Sequence, residues 1–165
     1  MNFYDDFQFD DFQNIIAMIF KSVVSKLNRY IYVGVLLFLL LLTIPALFED
    51  SYEPFVVLFS IHFLVILFFV WCFKSTYYEI LNSDLHWKSG PFYGKIDITK
   101  INKIEYHKGI YVPTLCKPAL SHRGLIITFN KYDDIYISPE KQQEFITKLQ
   151  ALNPNITFKN SPYVE

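Results

Sequence analysis

Charge is scarce in this chain of 165 residues: 19% of positions are charged, against 52% hydrophobic, where a soluble domain carries about a quarter charged. An excess of either sign is also missing. Fifteen Lys and Arg against sixteen Asp and Glu leave a net charge of −1, which argues against a nucleic-acid binder, usually strongly basic. Five Gly and eight Pro are too few for a collagen-like or low-complexity chain, and a mean hydropathy of +0.22 excludes a disordered one. The two Cys and four His have no metal-ligand spacing, so neither a metal nor a cofactor is expected. The thiols are read as reduced and cytoplasmic. No G-x-S-x-G elbow occurs, and Ser121 and His122 are adjacent residues that rarely face one another, so a triad with Asp133 or Asp134 is not expected. The chain reads as a non-enzyme. The first apolar run follows an acidic leader and ends in no small-residue cleavage site, which argues against a signal peptide.

What the chain has instead is apolar length. Residues 31–48 read IYVGVLLFLLLLTIPALF and residues 55–73 read FVVLFSIHFLVILFFVWCF, eighteen and nineteen residues without a formal charge. As helices they extend roughly 27 and 28 Å, close to a bilayer core. Neither has a polar face, which excludes two buried helices of a soluble core. With the short linker EDSYEP they predict a transmembrane hairpin over 31–73. Lys21, Lys26 and Arg29 precede it and Lys74 follows, whereas the linker holds Glu49, Asp50 and Glu53 and no cation. Cationic flanks stay cytoplasmic, so both termini are expected in the cytoplasm of a multi-pass plasma (inner) membrane protein. Tyr30, Tyr32, Tyr52 and Trp71 fall where aromatic rings favour the headgroup zone.

Residues 1–30 form a leader. Residues 4–13 hold a tandem repeat, YDDFQ then FDDFQ, with four Asp. This is a solvated tail or a partner-docking segment. In residues 14–29, Ile15, Ile16, Ile19, Val23 and Leu27 recur at helical spacing, which predicts an amphipathic helix on the inner leaflet.

From residue 76 the composition changes. Strand-type alternation predicts strands near 76–81, 85–88, 94–98, 101–106, 125–129 and 135–138. Ser138-Pro139 is read as a helix cap with proline at the first helical position. Phe145, Ile146, Leu149 and Leu152 then mark one helical face, and Asn153-Pro154 ends it. The fold class is α+β: a transmembrane hairpin, then a bent antiparallel sheet closed by one helix over 76–157, then a tail over 158–165.

Ala119-Leu120-Ser121, Arg123, Ile126, Ile135-Tyr136-Ile137-Ser138-Pro139, Phe145, Leu149 and Asn153-Pro154-Asn155-Ile156 form a distinctive series. So do Tyr78-Glu79-Ile80, Leu85, Gly90, Ile96, Ile101 and Ile104 upstream. Together they resemble the bacterial pleckstrin-homology-like (PH-like) domains of the YyaB-like family of membrane-anchored proteins, over about half the chain. The resemblance implies a PH-like fold and no catalytic residues. Some relatives resemble immunity proteins against peptide bacteriocins.

Two sets of residues are candidate sites. Lys95, Lys100, Lys103, Lys108, Lys117 and Arg123, against Asp97 and Glu105, form a basic cluster suited to anionic lipid headgroups or to a protein or peptide partner. His62, near the middle of the second apolar run, is costly in lipid and predicts an intramembrane polar contact with Ser60, with Thr43, or with a neighbouring subunit of a homo-oligomer. The function expected is a membrane-anchored, non-enzymatic binding scaffold, for which the resemblance implies a role in bacteriocin immunity or envelope stress. The rival is a regulatory adaptor that recruits a partner through the acidic leader or a sheet edge.

Overall fold

The computed structural model describes residues 18–48 and 51–160. The tandem repeat, Ile15, Ile16, Glu49, Asp50 and the last five residues lie outside them.

The chain opens on a strand, β1 (Met18–Lys21), followed by helix α1 (Lys26–Thr43), a single 3-10 turn (Pro45–Phe48) and helix α2 (Glu53–Lys74). The amphipathic helix predicted across 14–29 is therefore corrected. Helical spacing of Ile19, Val23 and Leu27 competes with pairing, and pairing wins: β1 runs antiparallel to β2 (Tyr77–Leu81), with Phe20 opposite Tyr78 and buried in the core. Helix α1 begins only where Ser25 caps it, the Ser25 hydroxyl accepting from Asn28 N–H at 3.2 Å. It stops at Thr43 because Pro45 has no N–H to continue the ladder and disfavours helical backbone at Ile44. Helix α2 starts with Pro54 in its first turn, where the missing N–H costs nothing.

Both helices are long and apolar enough to cross a membrane. Only Thr43 is buried in α1 and only His62 in α2. Leu37, Phe38 and Leu41 of α1, and Phe63, Leu64 and Val70 of α2, face outward. A continuous apolar surface of this kind suits a hydrocarbon solvent and not water.

Beyond α2 the chain forms two four-stranded sheets. β3 (Asp84–Ser89) and β4 (Phe92–Asp97) complete the first, in the order β1-β2-β3-β4. β5 (Ile101–Lys108), β6 (Arg123–Phe129), β7 (Asp133–Ile137) and β8 (Thr157–Lys159) form the second, in the order β7-β6-β5-β8. The 3-10 turn Ile98–Lys100 carries the chain between sheets. Asp97 caps that turn, accepting from Thr99 N–H at 3.0 Å, and these hydrogen bonds hold its carboxyl below the usual range. Alternate residues of both sheets (Ile80, Leu85, Ile96, Ile104, Leu125, Ile127, Ile135 and Ile137) point into one core, which helix α3 (Gln142–Leu152) closes with Phe145, Ile146 and Leu149. The α+β class and the helix-closed antiparallel sheets are as the sequence indicates.

Two boundaries differ from expectation. Ser138 does not cap α3. Its hydroxyl is wholly buried 2.9 Å from that of Ser22 and accepts from Leu120 N–H at 3.2 Å, while Glu140 N–H donates to the Lys21 carbonyl. Residues 138–140 are thus tied alongside the end of β1, and the helix starts after Lys141, whose φ is +53°. The predicted stop at Asn153 holds, and its side-chain amide pins the helix end to the Ile98 and Ile101 carbonyls at 2.8 and 3.0 Å. Residues 158 and 159 are not tail but part of β8, which pairs parallel with β5.

One topological fact matters most for function. β1 and β2 are neighbours in one sheet, yet the whole hairpin of α1 and α2 lies between them in sequence. The helices leave and re-enter the domain at adjacent strands, with four residues before α1 and two after α2.

Candidate functional site

The end of the domain from which the helices emerge is built around Tyr78. Its hydroxyl donates to the Pro118 carbonyl at 2.6 Å, lies 3.1 Å from the Ser22 hydroxyl, and accepts from Ser138 N–H at 3.0 Å. One buried node thereby joins the β1–α1 connection, β2, the loop before β6 and the end of β7. Burial pushes the Tyr78 phenol above its ordinary range. The same loop is fixed to the start of α1: Ser25 N–H and the Asn28 side-chain amide both donate to the Leu120 carbonyl, at 3.3 and 3.0 Å.

The six basic candidates do not form one cluster. Lys95 pairs with Asp84 at 3.6 Å, Lys100 with Asp97 at 3.7 Å and Lys103 with Glu105 at 3.1 Å. These are surface pairs, worth about 0–1 kcal/mol each, and Lys100 and Lys103 lie toward the end of the domain away from the helices. Lys108 and Arg123 are brought together as register partners at the other end, where β5 finishes and β6 begins. Lys117 is exposed in the loop between those strands.

Arg123 belongs to a pocket of about 420 Å³ at the foot of α1, together with Lys26, His122, Ser121, Tyr106 and Gln142. Its described lining residues include no carboxylate. His122 Nδ1 stands 3.0 Å from the hydroxyl of Ser25, the α1 cap, which fixes the ring at the pocket wall. The N-terminus of an eighteen-residue helix adds partial positive charge there. The arrangement suits an anion. Lys26 and His122 were not among the sequence candidates for this role. Lys26 was legible only as a cationic flank, and no spacing in the sequence puts it beside Arg123, 97 residues away.

A second groove of about 500 Å³ lies across β1 between Lys21, Lys74, Glu79 and Glu140. Its mixed charge makes it the poorer anion site. Ser121 and His122 do not face one another: the Ser121 hydroxyl accepts from Arg123 N–H, and Asp133 opens β7 at the far end of the domain, accepting from the Asn130 side-chain amide. The Cys116 thiol is pushed up by burial and by the nearby Asp134 carboxylate, which disfavours its thiolate. Within the helices, the Thr43 hydroxyl donates to the Leu40 carbonyl at 2.6 Å and the Ser60 hydroxyl to the Val56 carbonyl at 2.7 Å. Neither bonds His62, whose buried Nδ1 has no partner among the described residues.

Residues 76–153, a little under half of the chain, match the family model of the bacterial PH domain. No curated protein and no solved structure matches it. Domains of this class are typically non-catalytic binding modules, so the match suggests a binding or scaffold role, with a lipid or a protein as what is bound.

Proposed function

We propose that the chain is a membrane-anchored, non-enzymatic scaffold that holds its PH-like domain against the cytoplasmic face of the plasma membrane, where the Lys26–His122–Arg123 pocket takes an anionic lipid headgroup. The observation that carries this reading is the insertion of the apolar hairpin between the paired strands β1 and β2. A tether of that kind has two short attachments, each with one buried residue, Ser22 and Thr76, so the domain is expected to keep one height and one orientation relative to the bilayer. The excess of Lys and Arg beside the domain-side ends of both helices supports a cytoplasmic placement.

The test uses the full chain in neutral detergent. Added phosphatidylglycerol is expected to raise its thermal midpoint more than phosphatidylcholine does. Lys26→Glu with Arg123→Glu should abolish that difference, while Lys100→Glu leaves it intact. An undiminished lipid-specific shift in the double variant would remove the pocket from the reading.

The regulatory-adaptor alternative has one observation of its own. The outer edge of β4 has no strand partner among the described residues, so its backbone groups can add a strand from another protein. A pull-down that depends on β4 or on residues 1–13, and not on Lys26 and Arg123, would favour it. A bacteriocin-immunity or envelope-stress role is the narrower version of the scaffold reading and rests on the sequence resemblance. Expression in a bacteriocin-sensitive strain addresses it, and unchanged sensitivity across a peptide panel counts against it.

A further inference from the structure

The turn between β3 and β4 does not stand clear of the helices. Gly90 (φ +59°) packs so closely on α2 that a Cβ built there would lie 2.5 Å from Cys72 Sγ and 3.5 Å from Cys72 Cα. Gly90 N–H donates to the Ser75 hydroxyl at 2.9 Å, and the Thr76 hydroxyl lies 3.0 Å from that of Ser89 while donating to the Cys72 carbonyl. The turn is therefore clamped to the last turn of α2, and its tip reaches the level of Cys72, a residue inside the apolar run. Ser89 is opposite Phe92 in the β3–β4 register, so Phe92 stands near the level of Thr76. Four residues at about 1.5 Å each separate those levels by roughly 6 Å, and each headgroup layer is about 5–7 Å deep. Pro91 and Phe92 are exposed, Phe92 at 63%, at the depth of that layer.

The sheet itself repeats the pattern. Reading across the register, Lys21 lies opposite Tyr77, Tyr77 opposite Lys88, and Lys88 opposite Tyr93. Residues directly opposite in antiparallel strands project from the same face. The adjacent row, Phe20, Tyr78, Trp87 and Gly94, turns toward the core, so the Lys-Tyr-Lys-Tyr row is on the outer face. It is the outer-face row nearest the helices, one step below the Ser89–Phe92 pair. Alternating cations and amphipathic aromatics are the side chains that settle at a membrane–water interface.

We infer that the β3–β4 turn and the Lys21-Tyr77-Lys88-Tyr93 row form an interfacial belt that seats the first sheet in the headgroup layer of an anionic leaflet. The belt is a different surface from the Arg123 pocket. It rests on the reading that α1 and α2 cross the bilayer, and the test separates the two.

The experiment places spin labels in the full chain, with Cys72→Ser and Cys116→Ser, reconstituted in phosphatidylcholine–phosphatidylglycerol vesicles. Labels go at Leu64→Cys on the outer surface of α2, at Phe92→Cys in the turn, and at Tyr132→Cys in the distal β6–β7 turn; all three native side chains are exposed. Accessibility to oxygen, which partitions into lipid, is compared with accessibility to a water-soluble nickel chelate. The expected result is an oxygen-to-nickel ratio at position 92 several-fold above that at 132 and below that at 64. A ratio at 92 equal to that at 132, with 64 lipid-like, overturns the belt and leaves the anchor standing. A water-like ratio at 64 overturns both.

Discussion

Phe20 offers the sharpest test of how the domain is built, because it lies outside the matched segment and within the stretch that reads as an amphipathic helix. In the structure it is 5% exposed and meets Phe145 of α3 edge to face at 5.1 Å. Burying 150–250 Å² of aromatic side chain at about 25 cal/mol/Å² is worth roughly 4–6 kcal/mol. Alanine retains only the Cβ, so Phe20→Ala should cost about 3–5 kcal/mol. Because β1 is a four-residue edge strand able to relax inward, the lower end is expected. The assay is urea unfolding of the full chain in detergent micelles, followed by Trp87 fluorescence in a Trp71→Phe background. With a slope of about 2 kcal/mol/M, the midpoint should fall by roughly 1.5–2 M. Phe20→Leu should recover most of the loss, and Tyr132→Ala, at an exposed turn, should stay within about 0.5 kcal/mol of the parent. A midpoint unmoved by Phe20→Ala would mean that β1 is not part of the fold, and the double-tether argument would fall with it.

Three other perturbations follow from the same geometry. Burial raises the phenol pKa of Tyr78 and Tyr136 above the ordinary value of 10. The unfolded chain therefore ionises first, and stability complete below pH 10 is lost above it, at about 1.4 kcal/mol per pH unit for each tyrosine; urea midpoints that do not fall above pH 10 would contradict this. Gly90→Ala should destabilise the domain by about 1–2 kcal/mol from its positive φ alone, with a further loss from Cys72 Sγ that Cys72→Ala relieves. A double-mutant cycle of urea midpoints without coupling would separate the turn from α2. His62→Leu removes a buried ring nitrogen that has no partner among the described residues and should stabilise the isolated hairpin by about 1–3 kcal/mol. A loss of stability that scales with protein concentration in micelles would instead place its partner in a second copy.

Apolar length and strand alternation survive any tertiary context, which is why both apolar helices and six of the eight strands among the described residues were legible as runs of residue types. The two missed strands share a cause. Met18–Lys21 and Thr157–Lys159 are short edge strands whose partners are distant in sequence, and their patterns say nothing alone. Ser138 failed as a cap for the same reason: Ser-Pro is a good local signal, but a hydroxyl more than a hundred residues upstream competes for it. The basic cluster was the least legible. Charge density along the chain counted Lys100 and Lys103, which neighbouring carboxylates engage, and could not pair Arg123 with Lys26, because that pairing depends on β1 entering the sheet.

The double tether also decides what affinity the pocket needs. A site held beside a leaflet meets its headgroups at an effective concentration in the millimolar range or above, as with any second contact made through a short linker. On the proposed reading, a partly open pocket with two cations, an imidazole and a helix N-terminus is then expected to be occupied with an intrinsic affinity that dilute solution would not reveal. It follows that a soluble fragment beginning at residue 76 is the wrong object for a lipid-binding assay. Such a fragment lacks β1, Ser22 and Lys26, so the core, the Tyr78 node and the pocket are all incomplete. Binding by the full chain and none by the fragment is what this architecture requires; equal binding by both would place the lipid contact elsewhere, among the side chains of residues 76–160.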